Sequence, residues 1–144
     1  MIPLKDDNPT KNRPIVSYSI IFFCVIIFFA QLGLNDQELR EFTYSYGLIP
    51  SVLIGIDQLP NEIDKISPIA TIFTSMFMHG GWMHLIGNML YLWIFADNIE
   101  DDLGTLNFVI FYFASGVGAA MSQVLVDVNS QIPMIGASGA IGGI

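Results

Sequence analysis

The sequence predicts an all-α protein, a polytopic bundle of transmembrane helices, on three observations. Of its 144 residues 53% are hydrophobic. Only 12% are charged, where a soluble domain carries about twice that share. Three stretches hold no Lys, Arg, Asp or Glu at all: Pro14 to Asn35, Ile66 to Ala96 and Leu103 to Val126. Each is long enough to supply the about 20 helical residues that cross a hydrocarbon core.

The charge and cysteine content exclude other classes. A net charge of -8 argues against nucleic acid, whose phosphates need surplus Lys and Arg. One cysteine, Cys24, rules out an internal disulfide and a Cys-based zinc site. It sits in an apolar run and reads as a small hydrophobe.

The elements follow in order. Residues 1–14 form a polar tail with Lys5, Lys11 and Arg13, three of the five basic residues. That excess places the N-terminus in the cytoplasm of a multi-pass cell-membrane protein. The first helix is predicted from Ile15 to Leu34. A secretory signal peptide is the rival reading, but the apolar core is too long and no small-x-small cleavage pattern follows. Residues 35–68 form an outer segment. It sets Arg40 and Lys65 against Asp36, Glu38, Glu41, Asp57, Glu62 and Asp64. Its apolar patches at 44–49 and 51–56 predict short helices lying partly in the interface.

The second helix is expected from Trp82 to Asn98. Gly80-Gly81 is its entry turn and Trp82 its interfacial anchor. An inner turn follows with Asp97, Glu100, Asp101 and Asp102, closed by Gly104. The third helix is expected from Leu106 to Leu125. Ser115, Gly116, Gly118, Ala119 and Ala120 crowd its middle, and small residues let helix backbones approach closely in lipid. Asp127 to Pro133 reads as a polar outer loop. A fourth helix opens near Gly136 and stops at Ile144, too short to cross a bilayer. The expectation is three full helices plus the start of a fourth. Residues 15–144 then form one membrane domain, incomplete at its C-terminal end.

Four polar residues in this oily context could carry chemistry. His84 and Asn88 are four apart, on one face of a helix. Polar groups at such depth face the bundle interior or a water-filled cavity. Imidazole and carboxamide N–H groups aimed at one point can stabilise an oxyanion; the bland alternative is that both hydrogen-bond neighbouring helices. Ser138 lies in Gly136-Ala137-Ser138-Gly139, at a predicted helix N-terminus with free backbone N–H groups. Its bland alternative is a small-residue packing face, since Gly139-x-x-x-Gly143 is such a pattern. A serine also needs a base to be a nucleophile. His79 is five residues from His84, a poor spacing for a helical metal pair, and no carboxylate in the run completes a site, so no metal is expected. His79 is expected to tie the entry of the second helix to the outer segment.

From about Tyr46 to its end, the chain resembles the rhomboid family of intramembrane serine proteases. The resemblance rests on Thr74-Ser75-Met76-Phe77-Met78-His79-Gly80-Gly81-Trp82-Met83-His84-Leu85-Ile86-Gly87-Asn88, on Ile99-Glu100-Asp101 with Gly104, and on Gly136-Ala137-Ser138-Gly139. These come in the family's order and spacing. The resemblance implies a rhomboid-type bundle with a six-helix core, cleaving transmembrane segments of membrane proteins within the bilayer and using no cofactor. It implies Ser138 as nucleophile. His84, Asn88 and the Ser138 backbone N–H would form the oxyanion hole. The family's base is a histidine on the sixth helix, which would lie beyond Ile144, so these 144 residues alone are expected to be inactive. Two further departures read as subfamily variation. The outer segment lacks a Trp-Arg pair, and Gly142 stands where some members carry an aromatic residue. The main alternative is a catalytically inactive rhomboid-like protein that binds membrane helices. A plain small-residue bundle, such as part of a transporter, explains the glycines but not His84, Asn88 and Ser138 together.

Overall fold

The computed structural model describes residues 13–144. The expected tail at 1–14 lies almost wholly outside the described residues. Helices form throughout, and no strand occurs among the described residues.

Helix α1, Ile15–Leu32, starts after Pro14 and stops at Gly33. Its buried residues, Ser17, Ile20, Cys24, Phe28 and Gln31, recur every three or four positions and form one stripe. Ile15, Phe22, Phe23, Ile26 and Phe29 point outward and are exposed. An apolar helix with an equally apolar outer face suits lipid rather than water. Helix α7, Thr105–Val126, repeats the pattern, burying Phe108, Tyr112, Gly116, Ala120 and Val124. These two helices are long and apolar enough to cross a membrane.

Between them, the outer segment folds into α2 (Asp36–Tyr46) and α3 (Pro50–Leu53). Asn35 caps α2 by accepting from the Gln37 and Glu38 N–H groups, both at 3.0 Å. Glu38 reaches back to the Asn35 N–H at 2.9 Å, closing a reciprocal capping box.

The charge-free stretch 66–96 is not one helix. It begins with α4 (Pro68–Thr74), capped by Ser67, and tightens through a 3-10 turn at Ser75–Phe77. The chain then runs without helix through Met78–Gly81 to α5, Trp82–Tyr91. A wide π-type turn, Leu92–Ala96, joins α5 to α6, Asp97–Leu103. The expected second helix is therefore present as three consecutive helical pieces. Across the π turn Leu92, Ile94 and Ala96 are all buried, while Trp93 and Phe95 are exposed.

The fourth helix is shorter than expected. α8 covers only Ser138–Ile141, and Gly142-Gly143, both poor helix formers, follow as a turn. It packs along α7, and small residues make that approach possible. A Cβ on Gly139 would stand 2.7 Å from the Ala119 Cβ. One core joins α1, α5, α7 and α8 through Cys24, Leu85, Phe108, Tyr112, Ala137 and Ala140. A second lies under the outer segment, around Leu48, Ile72, Met76, Ala120 and Val124.

One long-range polar contact locks the bundle. Glu100 on α6 is 3% exposed and accepts three hydrogen bonds at the start of α1. The donors are Val16 N–H at 3.0 Å, Ser17 N–H at 2.8 Å and Ser17 Oγ at 2.7 Å. A carboxylate thus satisfies N–H groups that the helix itself leaves without acceptors.

Candidate functional site

Two segments far apart in the chain meet at Ser138. The first is α5, whose opening turn carries His84 and whose next turn carries Asn88. The second is the extended run 134–136 leading into α8. That run is pinned on both sides. Leu48 and Met134 exchange both backbone hydrogen bonds, at 3.0 and 2.7 Å, and Gly136 N–H donates to the Ser75 carbonyl at 2.8 Å. Gly136 has φ +125, a conformation L side chains rarely adopt. A Cβ there would also lie 2.5 Å from His84 Cε1 and 2.6 Å from Nε2. Only glycine lets the backbone pass this close to the imidazole.

The structure brings Ser138, His84 and Asn88 together. Ser138 Oγ lies 3.2 Å from His84 Nε2 and donates to Asn88 Oδ1 at 3.1 Å. Asn88 is buried, His84 is half-buried and Ser138 is exposed. The hydroxyl is therefore accessible while its partners are held in packed surroundings. The first hydrogen bond within α8 runs from Ile141 N–H to the Ala137 carbonyl, so the Ser138 N–H precedes the ladder. An open cavity of about 250 Å³ adjoins the serine, lined among others by Ser75, Met76, Gln123, Met134 and Gly136.

His79 behaves differently from the sequence expectation. Its backbone bonds to Gln31 at the end of α1, not to the outer segment. The His79 N–H donates to Gln31 Oε1, and Gln31 Nε2 donates to the His79 carbonyl, both at 3.3 Å. Its ring stands edge-on to that of His84, centroids 5.1 Å apart. Its Nε2 lies 3.1 Å from Asn88 Nδ2. Among the described residues no group of three His, Cys, Asp or Glu side chains could hold a metal.

Sequence reasoning missed three of these features. Helical spacing could not pair His79 with Asn88, because His79 lies before the helix begins. The close approach of Gly136 to His84 joins two segments that no local pattern relates. The Glu100 contact was hidden in an acidic cluster, where a buried carboxylate looks like its exposed neighbours.

The geometry can be set beside known proteins. A family model described as the Rhomboid domain matches residues 67–144, more than half of the chain. The rhomboid protease GluP of Bacillus subtilis is 35% identical over 133 residues, covering 92% of this chain and 24% of that protein. Rhomboid protein 1, mitochondrial, of Saccharomyces cerevisiae is 31% identical over 120 residues, covering 73% of this chain and 35% of its own length. The chloroplastic rhomboid-like protein 11 of Arabidopsis thaliana is 35% identical over 71 residues, 49% of this chain and 25% of that protein. The chain thus spans between a quarter and about a third of the length of these relatives.

Proposed function

Because the chain belongs to the rhomboid family, whose members are membrane proteins, we propose that it is part of a serine endopeptidase that cleaves transmembrane segments within the bilayer. The observation that carries this reading is the meeting of Ser138, His84 and Asn88 within 3.2 Å of one hydroxyl, in an otherwise apolar bundle. In this reading the Ser138 hydroxyl attacks the scissile carbonyl. The tetrahedral oxyanion takes hydrogen bonds from His84, Asn88 and the Ser138 backbone N–H. His84 and the Ser138 N–H stand in place before the charge develops, which is what makes such stabilisation effective; Asn88 joins them once its NH2 rather than its Oδ1 faces Ser138.

The hydroxyl needs a base to lose its proton. His84 Nε2 is near enough for that exchange, but an imidazole that donates to the oxyanion cannot also serve as the acceptor. We assign the base to a histidine encoded beyond Ile144, as the family resemblance implies. The substrates are membrane-protein helices. Residues 15–144 act as one membrane domain, with the tail 1–14 in the cytoplasm and the protein in the cell membrane.

The rival reading, a rhomboid-like protein that binds membrane helices without cutting them, keeps the same fold. The relatives include both rhomboid proteases and rhomboid-like proteins. The separating experiment uses the protein extended through its next helices and reconstituted with a single-pass membrane substrate. A serine-directed fluorophosphonate should label Ser138, and Ser138→Ala should abolish both labelling and cleavage. Cleavage that survives in Ser138→Ala removes the serine assignment. An intact, folded protein that neither labels nor cleaves removes the protease reading and leaves the binding one.

A further inference from the structure

His79 is outside the proposed oxyanion hole, yet it is 1% exposed and fixed from two directions. The Gln31 carboxamide grips its backbone on both the N–H and the C=O side. The His84 ring packs against its imidazole. Its Nε2 then meets one end of the Asn88 carboxamide at 3.1 Å, while the other end meets Ser138 Oγ at 3.1 Å. Asn88 is thus a bridge, with His79 at one end and Ser138 at the other.

A carboxamide has one donor end and one acceptor end. Whichever end faces His79, the opposite end faces Ser138. A neutral imidazole offers either a lone pair or an N–H at Nε2, according to where its single proton sits. A lone pair there takes an N–H from Asn88 and leaves the amide oxygen toward Ser138. An N–H there binds the amide oxygen and turns the NH2 group toward Ser138. The tautomer of His79 and the polarity of Asn88 are therefore locked together.

We propose that His79 is a positioning residue for this site, setting which end of the Asn88 carboxamide is presented to Ser138. The proposal rests on the protease reading, because an oxyanion needs the donor end. In the form that supports catalysis, His79 carries its proton on Nε2 and Asn88 turns its NH2 toward the nucleophile. The resting arrangement, with the serine hydroxyl donating to Asn88 Oδ1, is the opposite polarity. The two forms differ in which ring nitrogen of His79 holds the proton and in which end of the amide faces Ser138.

The test is a double-mutant cycle in the extended protein, with kcat and KM measured separately on a reconstituted substrate. His79→Leu, which removes the polar end, should lower kcat by about 10- to 100-fold with little change in KM, since a mis-set donor costs on that scale. His79→Gln, which returns a polar end, should recover most of that loss. In an Asn88→Ala background, His79→Leu should have almost no further effect, because His79 acts only through Asn88. Losses that multiply across the two backgrounds overturn the proposal, as does an equal fall for Leu and Gln at position 79. If His79→Leu does not fold, His79→Gln alone completes the cycle: its smaller loss must vanish in the Asn88→Ala background. If the parent shows no Ser138-dependent cleavage, the protease reading itself fails. The His79–Asn88 bond is then read from the ¹⁵N shift of His79 Nε2. A shift on Asn88→Ala keeps the bond as the determinant of the amide's orientation, and no shift removes it.

Discussion

Glu100 and Ser17, 83 residues apart, are joined by two hydrogen bonds, one from the Ser17 backbone N–H and one from its hydroxyl. With the Val16 N–H, they give the carboxylate three donors at the mouth of α1. An oxygen pair that accepts three bonds has no room for an amide N–H2 group. Glu100→Gln must turn one donor against another. We expect it to destabilise the fold by about 1–3 kcal/mol, the range for leaving a buried polar group unmatched. Ser17→Ala removes one bond and keeps the other two, so it should cost about 1 kcal/mol. Thermal unfolding in detergent measures both. Equal melting temperatures for Glu100→Gln and the parent would show that the contact does not hold α1.

Asn88→Ala tests the oxyanion role independently of the nucleophile. Loss of one donor of this kind lowers kcat by roughly 10- to 1000-fold. The fall should appear in kcat, because the charge exists only in the transition state. A rise in KM at constant kcat would assign Asn88 to substrate binding instead.

The packing of α8 on α7 makes a prediction about rescue. A Cβ on Gly139 would stand 2.7 Å from the Ala119 Cβ, well inside van der Waals contact. Gly139→Ala should therefore cost about 1–3 kcal/mol through overpacking. Ala119→Gly removes the opposing methyl and should restore part of that loss, although glycine within α7 has its own cost of roughly 0.5–1 kcal/mol. The readout is the melting temperature of the two single variants and the pair. If the pair is no better than the sum of its parts, the two helices do not meet through these atoms.

The fold class was legible from the sequence because lipid-facing helices leave a coarse signal. Charge-free stretches marked α1 and α7 to within a few residues, and Gly33 and Gly104 stand at their ends. Ile66 to Ala96 read less well. Gly80-Gly81 marked the entry to α5 at Trp82, but the uniformly apolar content marks neither α4 nor the π turn at Leu92–Ala96. At the site, the α5 spacing of His84 and Asn88 was readable, since four residues is one helical turn. Their meeting with Ser138 came from the family motif order, because a contact across 50 residues leaves no periodic trace. Glu100 and Gln31 were illegible for the same reason: each finds its partner only after α1 has packed against the rest of the chain.

Gly136→Ala gathers several of these constraints in one substitution. The residue holds φ +125, and a non-glycine residue in such sparsely populated backbone space costs about 1–3 kcal/mol. Its Cβ would press on the His84 ring at 2.5 Å. The backbone cannot simply back away, because the Gly136 N–H is bonded to the Ser75 carbonyl and Met134 is paired with Leu48. The imidazole must move instead, and it stands 3.2 Å from Ser138 Oγ. Small displacements of this kind lower rates by about 100-fold. The expected result is a protein that inserts into the membrane and keeps its helical circular dichroism, with cleavage reduced on that scale. Full activity in a folded Gly136→Ala protein would mean that the glycine does not set the distance between His84 and Ser138. A companion Ser75→Ala variant leaves the Ser75 carbonyl in place and should cleave near the parental rate, which separates the backbone contact from the side chain beside it.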